Sequence, residues 1–166
     1  MYIMVLDPID INIVDVPKYI PDFLQIRYSK IPNAGLGIFA KINLNAGTFL
    51  GNYMGEILEN KSGLDNTDYT FNSNKYNKTF IIDGSNIEKS NYTRFINCSS
   101  SNEIEKENVM GVRYTDTTES ILFTTNTGKQ IDIEGYIFFY ASRDIEEGEE
   151  LLFNYGDSYR KKLGIA

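Results

Sequence analysis

The chain has 166 residues, of which 42% are hydrophobic and 13% aromatic, and its formal net charge is −7 at pH 7. This length and apolar content fit one domain with a single core and exclude a globally disordered chain. The surplus of carboxylates would repel a phosphate backbone, so direct nucleic-acid binding is not expected, whereas a basic peptide would be attracted. The same charge also fits a protein that merely needs to stay soluble.

Histidine is absent and Cys98 is the only cysteine, which excludes an intramolecular disulfide, a zinc site of the usual Cys/His kind and a Ser-His-Asp triad. The N-terminal residues carry Asp7 and Asp10 and no basic region before their apolar residues, so they do not fit a signal peptide. No apolar run approaches the roughly 18–20 residues of a membrane span. We therefore expect a soluble, intracellular protein with no metal site and no membrane contact.

Short apolar or alternating segments, separated by Gly, Pro and Asn, follow one another along the chain. Residues 1–21 alternate Ile and Val with Asp and Asn and are broken by prolines, which indicates an extended arm. The predicted strands that follow are Phe23–Ser29, Leu36–Ala40, Gly47–Tyr53, Glu56–Glu59, Tyr69–Asn72, Thr79–Asp83, Val109–Tyr114, Ser120–Thr125, Gln130–Ala141 and Leu151–Phe153. The polar run Ser73–Lys78 predicts a hairpin loop, Lys89–Ile96 a helical turn and Glu103–Asn108 an exposed connection. With no long amphipathic helix, the sequence predicts a mainly β single domain.

The segment Asn33–Ala40 contains two glycines, Gly35 and Gly37, that flank a single residue. Glycines at this spacing let backbone amides and carbonyls approach a ligand closely. The third glycine and the following helix of a dinucleotide site are missing. Taken alone, a tight turn between two strands explains the segment equally well.

Two further segments combine polar and apolar residues, namely Asn91–Ser99 and Arg143–Asp157. The first is compatible with a capped helical turn, and its Asn97 can donate and accept hydrogen bonds at once, which suits an amino-acid or adenine edge. The second predicts an acidic turn followed by a short apolar strand, which ends at Tyr155-Gly156. A solvated turn followed by a core strand is the alternative interpretation.

In their order and spacing, these segments resemble the SET-domain family of protein-lysine methyltransferases over residues 22–160. The elements that carry the resemblance are Gly35-x-Gly37-x-Phe39, Tyr53-x-Gly55-Glu56, Asp68–Phe71, Ile82–Gly84, Arg94–Asn97, Phe138–Ile145, Gly148–Leu151 and Tyr155–Gly156. The resemblance implies a mainly β fold of small curved sheets, with few short helices and a C-terminal segment threaded in a knot-like arrangement. It leaves residues 1–21 as an N-terminal extension, residues 22–160 as the SET domain and residues 161–166 as a short tail.

The resemblance also implies S-adenosylmethionine-dependent methylation of a protein lysine. The cofactor would lie on one face and a lysine peptide on the other, joined by a narrow channel, and a histone tail is a candidate substrate. The implied catalytic residues are Tyr155, at the methyl-transfer point, and Tyr69. The implied cofactor contacts are Ala34, Gly35, Leu36, Gly37, Tyr69, Arg94, Asn97, Cys98, Tyr155 and Tyr159.

The lysine channel is implied to include Phe153 and Tyr53. Phe153 stands where the family often varies between Phe and Tyr. Phe leaves more room and offers the amine no hydroxyl, so di- or trimethylation becomes possible, and the degree of methylation stays open. The pattern breaks at Cys98, because the family usually has His after the asparagine. The downstream Cys-x-Pro-Asn of the family is shortened to Ser-Ser-Asn at residues 100–102.

Many relatives carry cysteine-rich zinc modules beside the domain, and one cysteine cannot build them. The chain therefore resembles the minimal SET proteins of viruses and bacteria, and a viral protein would act in the host nucleus or cytoplasm. The N-terminal arm or a second subunit would then help to close the channel, which leaves a homodimer open. Two alternatives remain: a catalytically silent SET domain that binds peptides or partners, and a methyltransferase for a non-histone lysine.

Overall fold

The computed structural model of the protein describes residues 20–64, 67–75, 78–113, 122–124, 128, 130–132, 134–156 and 161. Short strands dominate these ranges, together with two 3₁₀ helices, Tyr92–Phe95 and Ser101–Lys106. The strands, numbered in chain order, are β1 (Leu24–Tyr28), β2 (Leu36–Ala40), β3 (Phe49–Asn52), β4 (Glu56–Leu58), β5 (Thr70–Lys75), β6 (Lys78–Asp83), β7 (Asn97–Cys98), β8 (Val109–Arg113), β9 (Leu122–Thr124), β10 (Gln130–Asp132), β11 (Ile137–Ala141) and β12 (Leu152–Phe153). The prediction of a mainly β fold with few short helices is confirmed.

The strands form four small sheets. Strands β1 and β2 pair as an antiparallel hairpin, and β9 pairs with β10. A three-stranded sheet has the order β4-β6-β5, and a five-stranded sheet has the order β3-β11-β8-β12-β7. All five residues of β11 are buried, which makes this strand the centre of the core. Its run of apolar residues fits a strand that is covered on both faces.

The C-terminal strand β12 lies between two strands that are neighbours in the chain. It runs parallel to both, with Leu152 opposite Asn97 of β7 and Phe153 opposite Val109 of β8. The buried side chain of Asn108 fastens it, because Nδ2 donates to the Glu150 carbonyl over 2.9 Å and Oδ1 accepts from the Leu152 amide over 2.9 Å. The threaded C-terminal segment is thereby held at the start of β8.

The 3₁₀ helix Tyr92–Phe95 is anchored on β3. Asn91 caps the helix by accepting the Thr93 amide, and its Nδ2 donates to the Asn52 carbonyl over 2.9 Å. The Tyr92 hydroxyl donates to the Leu50 carbonyl over 2.8 Å. A Cβ at Gly51 would lie 2.3 Å from that hydroxyl oxygen, so only glycine leaves room for the ring. This anchoring fixes where β7 begins.

Three local predictions were wrong. The predicted loop Ser73–Lys78 is partly strand, because β5 continues to Lys75 and β6 starts at Lys78. Ser73 is buried there because its hydroxyl donates to the Gly135 carbonyl over 2.6 Å. The connection predicted at Glu103–Asn108 overlaps a 3₁₀ helix that is closed by the Glu107 amide on the Ile104 carbonyl. The single strand predicted from Gln130 is divided into β10 and β11.

Nearly all of the predicted arm, residues 1–21, lies outside the described residues, as does the predicted tail except residue 161. Within the part of the chain that the structure describes, no helix is long and apolar enough to cross a membrane. The same part contains no group of three or more His, Cys, Asp or Glu side chains that could hold a metal ion.

Candidate active site

Asn97, the first residue of β7, joins two segments that are distant in sequence. Its Nδ2 donates to the Leu36 carbonyl over 3.0 Å and to Glu150 Oε1 over 3.0 Å. The side chain is only partly buried. The sequence-predicted residues Leu36 and Asn97 are therefore in direct contact. They lie at a partly exposed edge of the domain, which we call the Asn97 edge.

The two glycines of the segment before β2 have different roles. Gly35 is exposed and has a φ of +72°, and a Cβ there would meet nothing within 4 Å. Glycine is favoured here because the turn needs a left-handed backbone conformation at this position, next to the partly buried Ala34. Gly37 is buried, and a Cβ there would lie 2.3 Å from Glu150 Oε1 and 3.1 Å from Asn97 Nδ2. Gly37 is thus needed for packing against these two side chains.

Tyr155, just after β12, connects the Asn97 edge with an aromatic cluster. Its hydroxyl donates to the Ile96 carbonyl, and its backbone amide donates to Cys98 Sγ over 3.4 Å. Its ring centroid lies 5.3 Å from those of Phe71 and Phe153. The hydroxyl proton is directed to the Ile96 carbonyl, which fixes the orientation of the phenol group.

Cys98 is buried, with 4% of its surface exposed. Besides accepting from the Tyr155 amide, its Sγ donates to the Ser99 carbonyl over 3.4 Å. The thiol therefore ties the C-terminal segment to β7. It offers no ring toward solvent of the kind that a histidine would present.

Tyr155 also lines a cleft of roughly 730 Å³. Its lining combines three aromatic residues with charged and polar ones. Burial lowers the pKa of Arg113, one of these charged groups. The residues that line the cleft are Lys61, Thr67, Asp68, Thr70, Phe71, Asn72, Arg113, Phe153, Asn154, Tyr155 and Gly156.

Tyr69 and Arg94, both half-buried, stack on each other. The Arg94 guanidinium lies 4.5 Å from the Tyr69 ring centroid and donates to the Ser85 carbonyl over 3.2 Å. The Tyr69 carbonyl accepts from the Tyr53 hydroxyl and, over 2.9 Å, from the Gly84 amide. The Tyr69 backbone is therefore held firmly, while its ring is covered by a cation.

Tyr53 is 4% exposed, and its ring centroid lies 4.5 Å from that of Phe71. It lines a separate cavity of roughly 270 Å³, which Ile57 and Tyr136 also line. Its link to the large cleft runs through Phe71. Tyr159 lies outside the described residues.

Two residues of the site received no role from the sequence. Phe71 lies between Tyr155 and Tyr53, and Glu150 accepts hydrogen bonds from three donors. Both stand inside segments that carry the family resemblance. The aromatic Phe71 and the acidic Glu150 could therefore have been singled out as site residues from the sequence. Neither side chain reveals its partners in sequence, because those partners come from distant segments.

Comparison with known proteins identifies the family. The profile of the SET domain matches residues 35–156. The Caenorhabditis elegans histone-lysine N-methyltransferase set-17 is 32% identical over 140 residues, which cover 84% of this chain and 43% of that protein. Human histone-lysine N-methyltransferase PRDM7 is 29% identical over 148 residues, which cover 88% of this chain and 26% of that protein. The chain thus spans less than half the length of these relatives.

Solved structures share the fold. The methyltransferase domain of human PR domain-containing protein 2 aligns with a TM-score of 0.61 and 22% identity, over 82% of this chain and 80% of that chain. ATXR5, in complex with histone H3.1 mono-methylated on R26, aligns with a TM-score of 0.54 and 20% identity, over 80% of this chain and 56% of that chain. The chain belongs to the SET-domain family.

Proposed function

We propose that this SET domain transfers a methyl group from S-adenosylmethionine to the side-chain amine of a protein lysine. The observation that carries the proposal is the position of Tyr155, whose ring lines the large cleft while its backbone and hydroxyl are tied to the strand that carries Asn97. Tyr155 thereby links the proposed lysine cleft with the strand that carries Asn97. Membership of a family whose named relatives are histone-lysine N-methyltransferases supports the same activity.

The Asn97 edge suits the cofactor chemically. S-adenosylmethionine presents an ammonium, a carboxylate and an adenine edge, so its site needs both donors and acceptors. The exposed turn at Gly35 and Leu36 offers peptide groups next to the Asn97 amide, and the space around Gly35 is open. We assign cofactor contacts to Ala34–Gly37, Asn97 and Cys98. The bound cofactor supplies a methyl group on a positively charged sulfur, which is an electrophile without help from a metal.

The aromatic cleft suits the lysine. Free lysine has a pKa near 10.4, and only its neutral form is nucleophilic. The rings of Phe71, Phe153 and Tyr155 would replace water around the amine, and this desolvation favours the neutral form. The Tyr155 oxygen, whose proton is directed to Ile96, would accept weak contacts from the reacting group and align it.

Phe153 is proposed to determine the product. Its ring centroid lies 5.3 Å from those of Phe139 and Tyr155, so it forms part of the wall of the cleft. Having no hydroxyl, it cannot hold the amine by a hydrogen bond. A methylated amine can then rotate and react again, so we propose di- or trimethylation.

The substrate is proposed to be a basic peptide, with a histone tail as the leading candidate. The net charge of −7 favours such a partner. A SET-fold neighbour, ATXR5, is in complex with a histone H3.1 species. A non-histone lysine would fit the same cleft. We retain further proposals about single residues: Tyr69 as a catalytic channel residue that also contacts the cofactor, Tyr53 as a channel residue, Tyr155 as a further cofactor contact, and Arg94 and Tyr159 as cofactor contacts. A homodimer is also retained as a proposal.

A silent peptide-binding SET domain is the second candidate, and the burial of Cys98 at a position that is usually His favours it. Isothermal titration calorimetry with S-adenosylhomocysteine, the demethylated product of the cofactor, separates the two. Saturable binding that weakens in Asn97→Ala supports the enzyme. Absence of heat at millimolar ligand, from a protein that unfolds cooperatively, would favour the silent module.

A further inference from the structure

Glu150 is a buried carboxylate at the entrance to the threaded strand, with 8% of its surface exposed. Its Oε1 accepts from the Ser29 hydroxyl over 2.7 Å and from Asn97 Nδ2 over 3.0 Å, and its Oε2 accepts from the Lys30 amide over 3.2 Å. Removing a carboxylate from water is costly unless hydrogen bonds compensate for it. The three hydrogen-bond donors around Glu150 compensate for that cost. They come from the residues that follow β1 and from Asn97 of β7, so Glu150 connects these two segments.

The contact with Glu150 decides which way the Asn97 amide faces. Nδ2 uses its two hydrogens on Glu150 Oε1 and the Leu36 carbonyl, each at 3.0 Å. If the amide were rotated by half a turn, its oxygen would meet two oxygens at that distance. Oδ1 is therefore turned away from Glu150 and from the Leu36 carbonyl.

We propose that Glu150 is a positioning residue for the cofactor: it fixes the Asn97 amide so that Oδ1 faces the ligand as an acceptor. This inference rests on the proposed function. It also explains the turn before β2, because the Ser29 amide donates to the Gly35 carbonyl over 2.8 Å while the Ser29 hydroxyl is held by Glu150. Glu150 thus holds the Gly35 turn and Asn97 together.

A glutamine cannot replace this carboxylate. With its oxygen in the Oε1 position, its NH₂ would point at the Lys30 amide, which is also a donor. With the NH₂ in the Oε1 position, it would point at Asn97 Nδ2. Each orientation leaves two donors facing each other, although Glu150→Gln keeps the shape of the side chain. The substitution therefore tests the acceptors without creating a cavity.

The test is calorimetry with S-adenosylhomocysteine on Glu150→Gln, with Glu149→Gln as the matched control. Glu149 is the neighbouring residue and pairs with Arg143 over 3.0 Å. We expect Glu150→Gln to raise the Kd about tenfold, as the loss of one well-placed hydrogen bond would, and Glu149→Gln to change it less than twofold. In the methylation assay the KM for the cofactor should rise while the KM for the peptide stays within twofold.

A double-mutant cycle shows whether Glu150 acts through Asn97. In the Asn97→Ala background, Glu150→Gln should change the Kd less than about threefold, because the amide that it orients is gone. A full tenfold effect in that background would overturn the inference, as would an unchanged Kd in the single variant. If Glu150→Gln does not fold, Ser29→Ala replaces it. Ser29→Ala should raise the Kd about threefold, and this effect should disappear in the Asn97→Ala background.

The failure of this inference is distinct from failure of the proposed function. A wild-type protein that binds S-adenosylhomocysteine and loses affinity in Asn97→Ala supports the cofactor site whatever Glu150→Gln does. A wild-type protein that binds no S-adenosylhomocysteine overturns both.

Discussion

Replacing Gly37 by alanine should destabilise the domain more than its size suggests. The new Cβ would lie 2.3 Å from Glu150 Oε1 and 3.1 Å from Asn97 Nδ2. At the end of an exposed side chain such an overlap is relieved by rotation. Glu150 is buried and held by three hydrogen bonds, so it can move only by giving up one or more of them.

The magnitude follows from two costs. Overpacking a buried site costs about 1–3 kcal/mol, and a hydrogen bond to a charged group contributes about 1.5–3 kcal/mol. We therefore expect Gly37→Ala to lower the free energy of unfolding by about 3–5 kcal/mol. Gly47→Ala is the matched control, because Gly47 has a φ of +85° but open space around its Cβ position. It should cost only the left-handed strain, about 1–2 kcal/mol.

Urea unfolding followed by far-UV circular dichroism measures both variants against the wild type. Gly37 has no left-handed φ, so the cost of Gly37→Ala reports its contacts with Glu150 and Asn97. Gly47→Ala gives the size of a purely conformational cost for comparison. A Gly37→Ala protein as stable as Gly47→Ala would refute the reasoning, since Glu150 could then swing aside at little cost.

Three further predictions concern single side chains. Phe153→Tyr should restrict the product to monomethyl-lysine, because the new hydroxyl would hold the amine by a hydrogen bond. Mass spectrometry of the peptide product measures the number of methyl groups that are added. A wild-type protein that gives only monomethyl product would contradict the prediction. Burial raises the pKa of Tyr92, whose hydroxyl donates to the Leu50 carbonyl over 2.8 Å. Because the pKa is higher in the folded protein, the stabilisation is full below the unfolded pKa of about 10 and is lost as the pH rises above it. The free energy of unfolding, measured at a series of alkaline pH values, should therefore fall less steeply with pH for Tyr92→Phe than for the wild type. An equal fall with pH in the two proteins would contradict this prediction. Cys98→Ser keeps an acceptor for the Tyr155 amide and Cys98→Ala does not. If that hydrogen bond contributes about 1 kcal/mol, initial rates should fall about fivefold in the alanine variant only. Equal rates in the two variants would mean that the bond has no role.

Much of the strand content could be predicted because each strand is a short apolar or alternating run that local sequence patterns indicate. The hairpin of β1 and β2 pairs Leu24 with Ala40 and Tyr28 with Leu36, and the apolar pattern with its glycine turn indicated both strands. The hairpin of β5 and β6 was underestimated, because the burial of Ser73 depends on the Gly135 carbonyl, 62 positions away. A local pattern does not contain such a partner.

The candidate site was predictable only in part, for the same reason. Tyr155 and Asn97 stood out because their segments resemble the family, and the structure brings both segments together through β7 and β12. Glu150 stood inside a segment that resembles the family, but its role could not be predicted because its partners Ser29 and Asn97 are 121 and 53 positions away. The role of Cys98 as an acceptor for the Tyr155 amide depends on the threading of β12, which spacing alone does not give.

The central claim is tested most directly by transfer of a radiolabelled methyl group from S-adenosylmethionine to core histones. We predict label on lysine with the wild-type protein and a loss of about a hundredfold or more with Tyr155→Phe, the size seen when a preorganised polar contact at a reacting centre is removed. The Kd for S-adenosylhomocysteine should stay within a few-fold in that variant, because its ring remains in place. Label that persists undiminished in Tyr155→Phe, or a wild type that binds the cofactor and labels no lysine in histones or other basic proteins, would contradict the claim.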